Sequence, residues 1–167
     1  KEYDTMRKSI NEKAWDGEWY MRALSKKENI GSRTSEGSKI YLNAQTWAVL
    51  GDVADEEKLP KLLAAVDNME HDFGFPLNMP PYEKYSPNVG RMSGMFENGG
   101  VYCHATGFKI LMDCKLGRAE KALCTLKKIM PDSEKNPSTQ SGAEPYVFTN
   151  CYSTHPKYYG KSYWSWT

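Results

Sequence analysis

Apolar residues recur along the chain at helical spacing in some stretches and in short unbroken runs in others, and these changes mark out its elements. Tyr3, Met6 and Ile10 share one face of a first amphipathic helix that ends near Ala14. The runs "GEWYMRAL" and "KIYLN" are aromatic and β-branched, with the polar stretch "SKKENIGSRTSEGS" between them, and predict a small β-hairpin with a long tip. "LNAQTWAVLGDVA" is apolar nearly all round, the pattern of a buried helix. After Asp55, a helix carries Leu59, Leu62, Leu63, Val66 and Met69 at spacings of three and four. Pro60 falls in its first turn, where the missing N–H costs nothing.

A further helix is predicted from Tyr102 to Leu116, with Ala105, Phe108, Leu111, Met112 and Cys114 as its apolar face and Gly117 just past its end. Ala119, Ala122, Leu123, Leu126 and Ile129 form the next stripe, which stops at Pro131. The two helices are read as an antiparallel pair joined by "LGR". From Phe73 to Val101 the chain is proline-rich and has no period, and a loop of that length in a compact domain is usually functional. The tail from Glu144 holds eight aromatics in 24 residues, again without a clear period. Helices alternating with loops of very unequal length predict a mainly α fold, an α/α toroid whose function lies in its loops. A tetratricopeptide-like unit also fits "LGRAEKALCTLKKIMP", but no period of about 34 residues recurs.

The 167 residues suit one domain with a real core. Basic and acidic residues number 22 and 21 and are spread along the chain, so no footprint for nucleic acid or an anionic membrane is present. No apolar run approaches the roughly 18 residues of a membrane span, and no signal-peptide pattern opens the chain. The four cysteines lack the spacing of a zinc site or the density of a disulfide scaffold. Cys114 and Cys124 fall in helical apolar patterns, where a reduced thiol acts as a small hydrophobe. The setting expected is reducing and cytoplasmic. A start at "KEYDTM" and an end inside the aromatic cluster "YWSWT" lead us to expect a piece of a longer protein.

Chemistry concentrates in "MFENGGVYCHATG", residues 95–107. His104 falls in the first turn of the predicted helix, where free N–H groups and the positive dipole end favour an anion and an imidazole adds a donor. The alternative is a histidine packed in the core. Gly99 and Gly100 would let a ligand approach the backbone. Glu97 suits a bidentate grip on sugar hydroxyls or a general-base role, or else a plain ion pair or helix-cap contact. Asp16 and Glu18 in "WDGEWY" could pair as glycosidase carboxylates, although "DG" is first a turn signal. The tail aromatics could stack on sugar or wall the core. No P-loop, HExxH, GxSxG or CxxC motif occurs.

Taken together, "NEKAWDGEWYMRAL", "GSKIYLNAQTWAVLGDVA", "ENGGVYCHATGFKILMDCKLGRAEKAL" and "AEPYVFTNCYSTHPKYYGKSYWSWT" resemble the disaccharide phosphorylases, glycoside hydrolase family ninety-four. The blocks run nearly the full chain in that family's order. The resemblance implies that residues 1–167 are part of a single (α/α)6-barrel catalytic domain, with a small β-hairpin and long active-site loops, in a parent chain several times longer that is usually a homodimer. It implies inverting, reversible phosphorolysis of a β-linked glucose disaccharide, with inorganic phosphate as co-substrate and no cofactor or metal. By resemblance His104 matches the phosphate-binding histidine and Glu97 the sugar-binding glutamate, while Asn150 falls where an amide stands beside the donor sugar. The general acid is expected upstream, in a Trp-Asn-Asp motif that this chain lacks, so the piece alone is expected to be inactive. A Thr-Gly-Thr stretch of the phosphate site would follow "SWT". Phe96 stands where cellobiose phosphorylases commonly have Lys before the glutamate, which leaves cellobiose, laminaribiose, chitobiose and other β-linked sugars open. An inverting hydrolase on the same toroid and a non-catalytic carbohydrate-binding piece are the rival readings.

Overall fold

A computed structural model of the chain describes residues 1–84 and 90–165. The stretch 85–89 of the long loop, with Trp166 and Thr167, lies outside the described residues. The main helices are α1 (Glu2–Lys13), α2 (Leu42–Leu50), α3 (Leu59–Asp67), α4 (Cys103–Lys115) and α5 (Ala119–Ile129). They pack in a row, with α3 on α2, α2 on α4 and α4 on α5. A short 3-10 turn, Glu56–Lys58, precedes α3, and Pro60 sits in the first turn of that helix as expected. Gly117 ends the α4–α5 connection at φ +71, a conformation that an L side chain would strain. This is a mainly helical domain with small sheets, and among the described residues the helices do not close a ring.

The α3 stripe is buried at Leu62, Val66 and Met69 as read from sequence, but in α4 and α5 the buried face is rotated and keeps only part of each stripe. In α4 the buried positions are Cys103, Ala105, Thr106, Lys109, Met112 and Asp113, while Leu111 and Cys114 are exposed. In α5 they are Ala122, Thr125 and Ile129, with Leu123 and Leu126 exposed along with Cys124. The cause is a buried charge pair. Lys109 Nζ donates to Asp113 Oδ2 at 2.6 Å and to Thr125 Oγ1 at 3.3 Å, and lies 4.4 Å from the centroid of the Phe75 ring. Arg118 Nη1 approaches Asp113 Oδ1 at 3.2 Å, and Arg118 Nη2 bonds Asp67 Oδ2 at 2.5 Å. Two charges with no exposed surface persist only when partners replace the water they have lost, and those partners orient α4.

The first helix, α1, buries no residue and docks through polar groups. Tyr3 Oη donates to the carbonyls of Gly51 and Asp52, Arg7 pairs with Asp55 at 2.7 Å, and Asn11 Nδ2 donates to Val53 O at 2.7 Å. In α2, Leu42, Gln45, Thr46, Ala48 and Val49 are buried, but Trp47 stays half exposed. Gln45 is buried because its amide bonds both the N–H and the carbonyl of Tyr20, at 2.9 and 2.8 Å.

The predicted hairpin is replaced by two separate pairings. Strand β1 (Ala23–Leu24) closes on β2 (Asn29–Ile30) inside the stretch read as the tip, with Ala23 opposite Ile30. Ser25 shapes that turn: its Oγ donates to Glu28 O and accepts from the N–H groups of Lys27 and Glu28. A short local closure costs less chain entropy than joining the two flanking runs. Strand β3 (Ile40–Tyr41) pairs instead with β4 (Asn78–Met79), so the long loop is anchored rather than structureless. The tail, read without a period, forms a three-stranded sheet in the order β5 (Val101–Tyr102), β6 (Thr149–Tyr152), β7 (Ser162–Ser165). Cys151 and Tyr152 of β6 are both buried, facing different core clusters, which removes the alternation that marks a strand. A one-turn helix, α6 (Ser138–Ser141), was not expected from the sequence.

Asp113→Ala leaves Lys109 buried without its closest partner and should cost about 3–5 kcal/mol in a denaturant melt. Replacing Lys109 by Met and Asp113 by Leu together should recover most of that loss.

Candidate functional site

Residues 92–100 form a compact turn closed by hydrogen bonds within its own backbone. Met95 N donates to Met92 O, Asn98 N to Met95 O, Gly100 N to Phe96 O and Gly94 N to Asn98 O. Asn98 is the internal clamp: its Oδ1 accepts from Tyr82 N at 2.7 Å, and its Nδ2 donates to Tyr82 O and Arg91 O. Asn78 Oδ1 accepts from Gly99 N at 2.9 Å, and its Nδ2 donates to Ser38 Oγ. The tail closes the outside, with Thr154 N and Oγ1, His155 N and Ser153 Oγ all directed at Gly94 O. Gly94 is required there, because a Cβ would lie 2.4 Å from His155 N.

This frame presents Phe96 and Glu97 side by side. Phe96 adopts φ +50, a left-handed conformation that costs a bulky residue free energy and is kept only where neighbours over-determine it. Its ring lies 4.7 Å from that of Tyr163, and the Arg91 guanidinium sits 4.8 Å from its centroid. Glu97 is exposed; its Oε1 accepts from Tyr102 Oη at 3.0 Å and its Oε2 lies 3.5 Å from Arg91 Nε. Tyr102 is the residue before α4, and its ring meets the His104 ring edge-on at 5.5 Å. His104 is therefore exposed in the first turn of α4 rather than packed in the core, and no side chain caps that helix start. Thr106 is turned inward, where its Oγ1 accepts from Phe75 N.

Burial raises the Tyr102 phenol above its ordinary range, and the Cys151 thiol and Glu97 carboxylate beside it push the same way. Tyr102 thus stays a hydrogen-bond donor to Glu97 at any physiological pH. The Cys151 thiol is itself pushed up to about 12 by burial and by the charge of Glu97.

The structure brings Glu97, Phe96 and His104 to one rim, linked through Tyr102. It does not bring Asn150 to the same face. Tyr102 pairs with Cys151 across β5 and β6, so strand alternation sends Asn150, the next residue along β6, to the other side. Asp16 and Glu18 lie elsewhere, where Asp16 accepts from Arg33 N at 2.6 Å and both carboxylates face the Arg33 guanidinium. They build the turn around Gly17, as the "DG" signal indicates. Arg91, Tyr102 and Cys151 were not singled out from sequence, since Arg91 sits in a stretch without a period and Tyr102 and Cys151 meet only across strands. No cluster of three metal-ligating side chains occurs among the described residues.

Residues 1–167 match the model of the Glycosyl hydrolase 94 superfamily, catalytic domain. The chain belongs to that family. Among its relatives, solabiose phosphorylase of Paenibacillus borealis is 45% identical over 154 residues, covering 88% of this chain and 20% of the relative. A 3-O-beta-D-glucopyranosyl-beta-D-glucuronide phosphorylase of the same organism is 38% identical over 86% of this chain and 19% of its own length. N,N'-diacetylchitobiose phosphorylase of Vibrio proteolyticus is 27% identical, with the same coverage of both chains. This family member thus spans about a fifth of the length of these relatives. Among its described residues, no helix is long and apolar enough to cross a membrane.

Gly94→Ala should lower the melting temperature well beyond Gly90→Ala. Both glycines have positive φ, but a Cβ meets backbone only at Gly94 and open space at Gly90. Thiol alkylation of the folded chain at pH 8, read by mass spectrometry, should label exposed Cys114 and Cys124. It should spare buried Cys103 and Cys151, whose pKa values of about 12 keep them protonated until the chain unfolds.

Proposed function

We propose that this chain is part of the (α/α)6-barrel catalytic domain of an inverting disaccharide phosphorylase acting on a β-linked glucose disaccharide. One observation carries the reading: His104 lies exposed in the first turn of an uncapped helix, and Tyr102 connects it to the carboxylate of Glu97. The helix start supplies N–H groups and the positive dipole end to an anion, and the imidazole adds a donor. Glu97 then accepts hydrogen bonds from sugar hydroxyls, and the Phe96 ring, with the Arg91 guanidinium over it, lines the rim beside the sugar. Asn150 enters this reading through the resemblance alone, as the amide of the donor sugar, since alternation along β6 turns it to the side opposite Tyr102 and Cys151. Membership of the family and the phosphorylase names of its relatives support the same assignment.

In this reading, phosphate held at His104 attacks the anomeric carbon as the glycosidic C–O bond breaks. The leaving oxygen takes its proton from an aspartic acid expected in the remainder of the parent chain. Phosphate stands where an inverting hydrolase holds a base-activated water, so an anion site replaces a second carboxylate. The row α3–α2–α4–α5 is an arc of the barrel, and exposed Leu111, Leu123 and Leu126 form a face that the rest of the parent covers. A cytoplasmic setting suits the two exposed thiols, and the homodimer rests on the resemblance alone.

The intact parent enzyme should release sugar 1-phosphate only when phosphate is supplied; equal turnover to free sugars without phosphate would favour the hydrolase. His104→Ala should raise the KM for phosphate roughly ten- to a hundredfold, the worth of a charge-assisted hydrogen bond, and leave the KM for disaccharide nearly unchanged.

A further inference from the structure

We propose that Arg91 selects the sugar that leaves in phosphorolysis, and that it selects a neutral hexose through a pair of hydroxyls. The inference rests on the phosphorylase reading above. Contacts along the rim run in a fixed order: His104 to Tyr102, Tyr102 to Glu97 Oε1, and Glu97 Oε2 to Arg91. With phosphate at the His104 end, the donor sugar lies next to it and the leaving sugar lies beyond, because attack and departure occur on opposite sides of the anomeric carbon. Arg91 is at the far end of that row.

The Arg91 side chain is held without being used up. Its guanidinium lies over the Phe96 ring at 4.8 Å, and its Nε stands 3.5 Å from Glu97 Oε2. Among the described residues, no hydrogen bond is made by its side-chain N–H groups. Phe96 itself is pinned in a left-handed conformation against Tyr163, so the surface under Arg91 is fixed. A planar fork with spare donors, seated on an aromatic face, suits bidentate recognition of two adjacent oxygens.

Those oxygens could be a vicinal diol or a carboxylate, and Glu97 decides between them. A second carboxylate bound by Arg91 would lie close to that of Glu97, and like charges at such separation oppose each other. A diol meets no such opposition and can donate to Glu97 while accepting from Arg91. The phenyl at position 96 thus serves as the seat of a cation carried by position 91.

The test runs the intact parent enzyme in the synthetic direction, with glucose 1-phosphate as donor and glucose, galactose, glucuronate or gluconate as acceptor. Wild type should use a hexose at least about tenfold better, in kcat/KM, than either acid. Arg91→Met keeps an apolar stem on Phe96 but removes the fork, and should raise the KM for the hexose about tenfold or more while leaving the KM for glucose 1-phosphate within about twofold. Arg91→Lys keeps the charge without the fork and should recover only part of the loss. Preference for an acid, or an unchanged hexose KM in the Met variant, overturns the inference while leaving the phosphorylase reading intact. A wild-type parent with no phosphate-dependent turnover overturns both.

Discussion

A lysine and an aspartate with no exposed surface set how the helices face one another. Lys109 and Asp113 sit one turn apart on α4 and pair with each other, and each also meets a different neighbour: Thr125 of α5 bonds the amine, and Arg118 of the connection forms an ion pair with the carboxylate. Arg118 carries the network on to Asp67 at the end of α3, which Lys121 also approaches at 3.5 Å. Three helices and the turn between two of them thus share one charge network. Desolvating such a pair costs several kcal/mol per ion before any partner is found, so the helices cannot rotate without exposing that cost.

The same helix carries the candidate site at its other end. Lys109 lies over the Phe75 ring, and Thr106, one turn earlier, accepts from Phe75 N. Pro76 bridges to Val101, and the next residue, Tyr102, leads into α4. His104 is therefore positioned by a helix anchored two turns away, and the loop of Glu97 by Asn78, Asn98 and the tail strands. Buried amides do most of this holding. Each amide offers both a donor and an acceptor, so one side chain can fix two backbone segments.

The site divides its tasks by chemistry. In the proposed reading the uncapped helix start and the imidazole serve an anion and Glu97 serves hydroxyls, while Tyr102 contacts both side chains. Burial holds the Tyr102 phenol protonated, so it stays a donor to the carboxylate. Arg91 and Phe96 extend the rim beyond Glu97 with a cation on an aromatic seat.

The sequence by itself determined the helices α2 to α5, the Pro60 start, the Gly117 stop and the turn at Asp16 and Gly17, because each depends on local propensity or on a backbone dihedral. It also determined the family, through blocks that run the length of the chain, and with it the interest of Glu97 and His104. Tertiary structure alone decided which helix faces are buried: the pattern of Leu111, Leu123 and Leu126 pointed one way, and a buried ion pair turned the helices another. It decided that the run at Ile40 pairs with Asn78–Met79 rather than with its predecessor, and that the aromatic tail is a sheet packed on both faces. Those outcomes depend on partners about forty residues or more away, such as Ser38 for Asn78 and Cys151 for Tyr102, and periodicity within one segment carries no information about them.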